Sequence, residues 1–494
     1  MPITTAYRQT PAEQRYKSEQ AVPIQWAGAP LKSTLKFIAI PATLLAPNLI
    51  FHIGMPHFVL YGAAALIVIS LFFRCFKDPE WLLALFITFI PIARQVPAAF
   101  APVLNGSNML LLLLLFTWFM QASRKQCPFF RPLPHTKLVM VWMVLSCFSA
   151  VTTVINTGGF SFLLDEVGLE FKAWLDQFLL FFAFVNLIRD GTMARRLVVY
   201  MMLGSIATLT LGFQEMLEKE GLSTIERSRV KGPQVQPNDF GAFLVYSIGP
   251  FLGMLLVDLF NWRSWIILPY LAITGKVLVA TFSRGAYLAL LAAGLLATYT
   301  KGLRILLLVA VVGGLGLALF PQLLPESAKA RLFQTQTTDL GTTAQLDSSS
   351  QTRIVLWNAA IAMTLESPIF GKGFKMFPQL KDQYTEVFVH ESDNHNMYLY
   401  ISSQMGIPAL VTFLLIFYRM YQMSKRVAKA APDGFGQVIG LGGVATAASV
   451  GVVNIFGSRM VGIEVCGYVW IYLAIIIHLF HELNNTTEQE VKQQ

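Results

Sequence analysis

The stretch HESDNHNMYLYISSQMGIPALVTFLLIFYRM begins at His390 and changes from polar to apolar at Met397. A His–Asn pair, His395 and Asn396, stands at that change. A neutral imidazole can take a proton from a hydroxyl near neutral pH. Two arginines stand in other polar stretches, Arg229 in SRVKGPQVQPNDF and Arg284 in TFSRGAY. A guanidinium keeps its charge and offers a planar fork that grips phosphate oxygens in pairs. Positive charge nearby also disfavours protonation of the imidazole and so preserves the base. An anionic phosphate ester and an activated hydroxyl are the reactants such groups suit. Lys276 lies two helical turns before Ser283, and residues 276, 280, 283 and 284 share one face at 3.6 residues per turn. Lys276 and Ser283 therefore extend the same candidate phosphate site.

Each group also has a plainer reading. His395 suits a polar helix cap. Arg284 suits an anchor that snorkels to headgroups. Arg229, flanked by Arg227 and Lys231, suits a solvated loop. Pro237 and Asn238 read first as a helix start, since Asn is a good N-cap. GKGF at 371–374 is a turn, because the phosphate-loop spacing is absent. His390 and His395, with Glu391 and Asp393 between them, do not place both imidazoles on one helical face. No metal site and no cofactor is expected.

The elements that must position these groups follow from composition. The chain has 494 residues, 55% hydrophobic and 13% charged. Soluble domains carry about a quarter charged residues, so repeated uncharged runs of span length indicate an all-α polytopic membrane protein. Spans are expected near 37–52, 57–73, 80–98, 107–121, 137–155, 169–188, 197–215, 239–260, 264–281, 285–300, 303–320, 396–419, 436–456 and 461–481. That gives about 14 transmembrane helices. Residues 1–35 lack the apolar core of a signal peptide and read as a cytoplasmic tail. Residues 36–320 hold the first eleven spans, 321–394 form one large periplasmic segment, 395–482 hold the last three spans, and 483–494 form a second cytoplasmic tail. Within 321–394, Thr352 to Leu365 reads as an amphipathic helix with Ile354, Trp357 and Ile361 on its apolar face.

Lysine and arginine set the orientation. With the N-terminus inside, the inner segments carry Arg74, Lys77, Arg124, Lys125, Arg131, Arg189, Arg195 and Arg196, while outer segment 99–106 has no charge. The net charge of +9 is thereby explained without a nucleic-acid partner. Basic residues on the outer side cluster at 216–238, at Arg284 and in 321–394, so His395, Arg229 and Arg284 share one rim. None of the four cysteines falls in an outer loop, and no periplasmic disulfide is expected.

Several local patterns resemble the O-antigen ligase and O-antigen polymerase superfamily of bacterial membrane glycosyltransferases. HNMYLYISSQMGIPA matches its His-Asn, nine residues, Gly pattern through His395, Asn396 and Gly406, with Ala409 where a second Gly is common. RVKGPQVQPN matches through Arg229, Gly232, Pro237 and Asn238, and FSRGAY through Ser283, Arg284 and Gly285. RIVLWNAAIAMTLESPIFGKGF matches through Arg353, Trp357, Pro368, Gly371 and Gly373. The four patterns cover residues 229 to 409. The resemblance implies a GT-C-like fold in the bacterial inner membrane and a glycan donor on undecaprenyl pyrophosphate. It also implies transfer without metal or nucleotide sugar. In that reading Arg229 and Arg284 hold the pyrophosphate and His395 is the base. Asn396, Ser283, Lys276, Arg353 and Asn238 contact substrate.

No carboxylate stands out as a covalent nucleophile, so inversion is expected. The acceptor is another glycan, lipid A core or a protein. A polymerase shares the donor chemistry, and the kept His-Asn spacing favours a ligase. A polytopic lipid or glycan transporter is the alternative of another class. Transporters gather charge at mid-membrane, often in repeated halves, whereas charge here gathers at one rim. In a background without native cysteines, Thr342→Cys and Ser349→Cys should react with an impermeant thiol reagent from outside. Gln126→Cys should stay protected until cells are opened. The opposite labelling pattern would reverse the orientation.

Overall fold

The computed structural model describes residues 73–74, 78–95, 106–219, 225–319, 336–337, 345–346, 348–386 and 388–493. The tail 1–35 and the spans expected near 37–52 and 57–73, apart from Phe73, lie outside the described residues. The described residues form long helices: α1 Pro79–Phe89, α2 Gly106–Ser123, α3 Pro134–Thr157, α4 Gly168–Leu187 and α5 Gly191–Glu218. There follow α6 Pro237–Ser247, α7 Gly249–Val257, α8 Leu268–Ala280, α9 Arg284–Lys301, α10 Leu303–Leu319 and α11 Ser348–Glu366. The last four are α12 Met397–Met405, α13 Ile407–Ala430, α14 Gly434–Val453 and α15 Ile463–Gln493. A two-residue antiparallel ladder pairs Gln336–Thr337 with Gln345–Leu346. Among the described residues, eight helical segments are long and apolar enough to cross a membrane, with α6 and α7 counting as one and α8 counted from Trp262.

Local sequence explains where the helices begin. The Asp78 carboxylate accepts from the Glu80 N–H at 3.2 Å, with Pro79 at the first helical position. Asp190 caps α5 through the Met193 N–H at 2.7 Å, and Asp433 caps α14 through the Gly436 N–H at 2.6 Å. These three starts lie at the same end of the bundle. Arg196 donates to both Glu80 oxygens at 2.7 and 2.8 Å. Arg195 reaches Asp433 at 2.9 Å and Glu482 at 3.3 Å. The two arginines thus fasten α1, α5, α14 and α15 together. Sequence reading assigns this end to the cytoplasm.

Packing rather than apolarity must hold helices together in lipid, because acyl chains are as apolar as leucine. Two devices serve here. Trp142 of α3 meets Trp174 and Phe178 of α4, Phe413 of α13 and Trp470 of α15, with ring centres 5.1 to 5.7 Å apart. Glycines on α14 let neighbouring backbones come close. A Cβ on Gly440 would lie 2.1 Å from the Ala428 nitrogen, and one on Gly249 would lie 2.4 Å from the Gly442 carbonyl oxygen.

Two expectations are corrected. The span expected at 396–419 is broken at Gly406, whose φ of +87° a side chain rarely adopts. A Cβ there would lie 2.1 Å from the Ile369 carbonyl oxygen, and the Ile407 N–H donates to Pro368 at 2.7 Å. Only α13 is of spanning length, and α12 is a separate short helix that carries the His–Asn pair at its start. The buried face of α11 is also not the expected one. Leu356, Ala359, Ala360 and Met363 are buried with Phe377 and Val389, while Ile354 and Ile361 are exposed. The reason is that α11 docks on α12: Trp357 donates to the Asn394 carbonyl at 2.9 Å, and Thr364 and Ser402 share a hydrogen bond at 3.0 Å.

Removing one partner of a buried pair strands the other charge. Arg196→Ala takes both guanidinium hydrogen bonds away from the buried Glu80 and should destabilise the bundle, by at most the roughly 3–5 kcal/mol of breaking a fully buried pair. Thermal unfolding in detergent measures this. An unchanged midpoint would mean that the pair contributes nothing to the bundle.

Candidate functional site

At the end of the bundle opposite the Arg195–Arg196 staple lies a polar cavity of about 710 Å³. Its walls come from the starts of α4, α6, α12 and α15, the chain after α1, and the segments 375–378 and 390–395. His395 lies on its wall.

The backbone around His395 is fixed from several sides. The Asn394 side-chain oxygen accepts from the Asn396 N–H at 3.0 Å. The Asn396 side-chain oxygen accepts from the Tyr398 and Leu399 N–H groups at 3.0 and 3.2 Å, capping α12. His395 between them is left-handed, with φ of 54°. A non-glycine residue in that region stores strain that its surroundings must hold. The Met397 N–H supplies part of that hold by donating to the Asn454 carbonyl at 2.9 Å.

His395 Nδ1 faces the Asp393 carboxylate at 3.5 Å, and the other Asp393 oxygen accepts from the Ser458 hydroxyl at 2.9 Å. This places Nε2 as the ring atom left to take a proton. Burial lowers the His395 pKa from 6.5; Asp393 opposes this, Arg353 and Arg459 push it lower, and Glu391 opposes weakly. Burial and the arginines prevail, so the ring is neutral at pH 7.

Each lysine and arginine on the wall is matched by a carboxylate. Arg459 meets Asp239 at 2.6 Å, Lys172 meets Asp176 at 2.6 Å, Lys375 meets Glu170 at 3.2 Å and Arg94 meets Glu464 at 3.6 Å. Lys172 also donates to the Asn108 side chain.

The arginines expected to hold phosphate lie in an adjoining cluster. Arg229 donates through Nε to the Thr281 carbonyl at 3.0 Å and through Nη2 to the Asn238 side chain at 2.8 Å. Phe282 is left-handed at φ 52° and turns the chain into α9. Gly241 of α6 sits against this turn, where a Cβ would lie 3.2 Å from that of Ser283. Arg229, Asn238, Ser283 and Arg284 therefore surround one turn. That turn borders the 456–459 segment, since a Cβ on Gly285 would lie 2.8 Å from the Phe456 Cβ. Asn238 and Asp239 join the two regions, one bound by Arg229 and the other by Arg459.

The family model described as O-antigen ligase matches residues 269–414. This stretch belongs to the O-antigen ligase and polymerase superfamily. The chain matches no curated protein. That match, in a chain whose described residues include eight helical segments able to cross a membrane, supports a membrane enzyme of the O-antigen ligase or polymerase type.

The ligase match contains Lys276, Ser283, Arg284, Arg353, His395 and Asn396; Arg229 and Asn238 precede it. The structure groups Arg229, Asn238, Ser283 and Arg284 at one turn, and Arg353 acts electrostatically on His395. Lys276 is exposed on α8 and, like Arg229, Asn238, Ser283 and Arg284, does not line the cavity. Asn396 spends its side-chain oxygen on the helix cap, so its observed role is to hold His395 in place.

Sequence reading missed Ser458, Arg459 and Asp239, and named Asp393 only as a metal candidate. Arg459 lies between the last two spans, in a turn that the same orientation places outside. An outer arginine beside a serine was the available signal. The cavity also holds six carboxylates, Glu170, Asp176, Asp239, Glu391, Asp393 and Glu464, of which sequence reading named only Glu391 and Asp393, as metal candidates that it set aside. Among the described residues, no three His, Cys, Asp or Glu side chains converge as a metal-ligand set.

The lowered His395 pKa sets the direction of a pH profile. A base must be neutral, so kcat/KM should fall only as pH drops below the ordinary imidazole value of 6.5. Asp393→Asn removes an upward pull and should move that acid limb to still lower pH. A limb at or above 6.5, or one that moves upward in the variant, would disprove the assignment.

Proposed function

We propose that the protein is an O-antigen ligase-like glycosyltransferase. It moves a glycan from undecaprenyl pyrophosphate to an acceptor hydroxyl at the periplasmic face of the bacterial inner membrane. The observation that carries this reading is the neutral, carboxylate-steadied His395 beside a polar cavity, within the family-matching stretch and next to an arginine-lined turn.

The chemistry follows from these placements. Arg229 and Arg284 grip the pyrophosphate and balance the charge that grows as it departs. His395 Nε2 takes the acceptor's hydroxyl proton. The oxygen forms a bond to the anomeric carbon, the bond from that carbon to the pyrophosphate oxygen breaks, and its electron pair leaves with the pyrophosphate. That leaving group needs little protonation. Arg353 lowers the basicity of His395; Asn238 and Ser283 shape the phosphate turn.

Inversion of configuration rests on a different argument from the one sequence offered. Carboxylates are present, but Glu170, Asp176, Asp239 and Glu464 each meet a lysine or arginine, and Asp393 is held by His395 and Ser458. Those pairings disfavour attack by these five, and Glu391, outside them, is the one carboxylate that inversion requires to stay out of the reaction. A polymerase, with a second lipid-linked glycan as acceptor, uses the same groups.

Purified protein, lipid-linked glycan and acceptor should give transfer without ATP, without an ion gradient and in the presence of EDTA. His395→Ala should fold and retain donor while losing roughly 10²–10⁴ in rate. Arg284→Lys keeps the charge but loses the two-pronged grip, so donor use should fall. Transport without a new glycosidic bond would refute the transferase reading. Near-normal transfer by His395→Ala would leave His395 as a helix cap.

A further inference from the structure

We propose that the cavity beside His395 is the acceptor subsite and that its fixed charge selects an acceptor sugar bearing no acidic group. This deepens the glycosyltransferase reading and rests on it.

Position supplies the first argument. In-line displacement places the attacking hydroxyl opposite the leaving group. The pyrophosphate side is the turn that holds Arg229, Ser283 and Arg284, and none of these three residues lines the cavity. His395 does line it. A hydroxyl that gives its proton to His395 and approaches from the side away from that turn must come from the cavity. At about 710 Å³ the space falls within the roughly 300–1,000 Å³ of ordinary ligand sites.

Charge supplies the second. Six carboxylates face the space against four lysines and arginines. Each of the four cations is already engaged by one carboxylate: Arg459 by Asp239, Lys172 by Asp176, Lys375 by Glu170 and Arg94 by Glu464. The two carboxylates outside those pairs, Glu391 and Asp393, flank the base itself. A phosphate or uronic acid on the accepting sugar would meet two negative charges and no uncommitted cation. Neutral hydroxyls meet the opposite situation, because carboxylates are acceptors for O–H donors.

A third observation shows a polar wall built for more than charge balance. Gln404 is fully buried on the cavity wall, and its side-chain oxygen meets no donor among the described residues. Tyr400, one helical turn earlier on α12, has a buried hydroxyl on the same wall with no partner among the described residues. Buried polar atoms normally find partners. A hydroxyl-rich ligand provides both a donor for the Gln404 oxygen and an acceptor for the Tyr400 hydroxyl.

The test compares three acceptors on the full-length protein in nanodiscs: a neutral hexose oligosaccharide, the same molecule with a terminal uronic acid, and the same molecule with a terminal phosphate monoester. The neutral acceptor should be preferred about tenfold or more in kcat/KM, as expected for unscreened like charges a few ångströms apart. The preference should shrink in high salt. Glu391→Gln should reduce the ratio of neutral to acidic acceptor. Because both rates come from one variant, any effect on the base cancels in that ratio. Equal use of neutral and acidic acceptors, or a ratio unmoved by Glu391→Gln, overturns the acceptor assignment while transfer itself stands. No transfer to any of the three acceptors by the unmodified protein, with a donor it demonstrably binds, would overturn the transferase reading and this proposal together.

Discussion

Asn454 is the point on which the site depends. It is fully buried at the end of α14, where an amide without partners would be costly. Its carbonyl takes the Met397 N–H at 2.9 Å, its side-chain oxygen takes the Arg459 N–H at 3.1 Å, and its side-chain nitrogen gives to the Tyr246 hydroxyl at 2.9 Å. One residue thus joins the start of α12, the turn before α15 and the end of α6. The first carries His395, the second carries Arg459 and Ser458, and the third begins with Asn238 and Asp239. Loops at a membrane surface have few neighbours to hold them. Here they are tied to one another through a residue that belongs to a rigid helix.

That arrangement separates two jobs that a lipid-linked substrate imposes. The lipid end brings a pyrophosphate, and the sugar end brings hydroxyls. Arginines suit the first because they are never neutral and grip in pairs. A base suits the second only if it stays neutral, which strong positive charge ensures and strong negative charge opposes. His395 lies at the boundary, with Arg353 and Arg459 lowering its pKa and Asp393 and Glu391 raising it. Asp393 still has a use, because it turns Nδ1 away from the reacting face. Ser458 keeps that carboxylate in place from the neighbouring turn.

Much of this was legible in the sequence, for definite reasons. Long uncharged runs announce helices because lipid leaves backbone polar groups no other partner. The clustering of Arg229, Asn238, Ser283 and Arg284 could be expected because each stood at a predicted span end on the same side. The failures are equally physical. Gly406 breaks a run that is apolar throughout, and apolarity carries no record of φ. The buried stripe of α11 was misplaced because periodicity offers several apolar stripes, and only docking on α12 selects Leu356, Ala359, Ala360 and Met363. Arg459 and Asp239 are 220 residues apart and meet only in the folded chain.

The pairing of Arg459 with Asp239 also explains how a cavity so rich in ionisable groups can exist at a bundle end. Arg459 is buried and its guanidinium also lies close beside Gly457, where a Cβ would come within 2.4 Å of Nε. A buried arginine is tolerable only with a counter-charge of good geometry, and the 2.6 Å contact to Asp239 supplies it. Asp239 stands one residue after Asn238, which is the partner of Arg229. The start of α6 therefore presents two adjacent side chains to two arginines, one on the phosphate turn and one on the cavity wall. Moving either arginine disturbs the helix start that holds the other. The base, the arginine turn and the cavity are consequently positioned as a unit, although they come from four separate stretches of the chain.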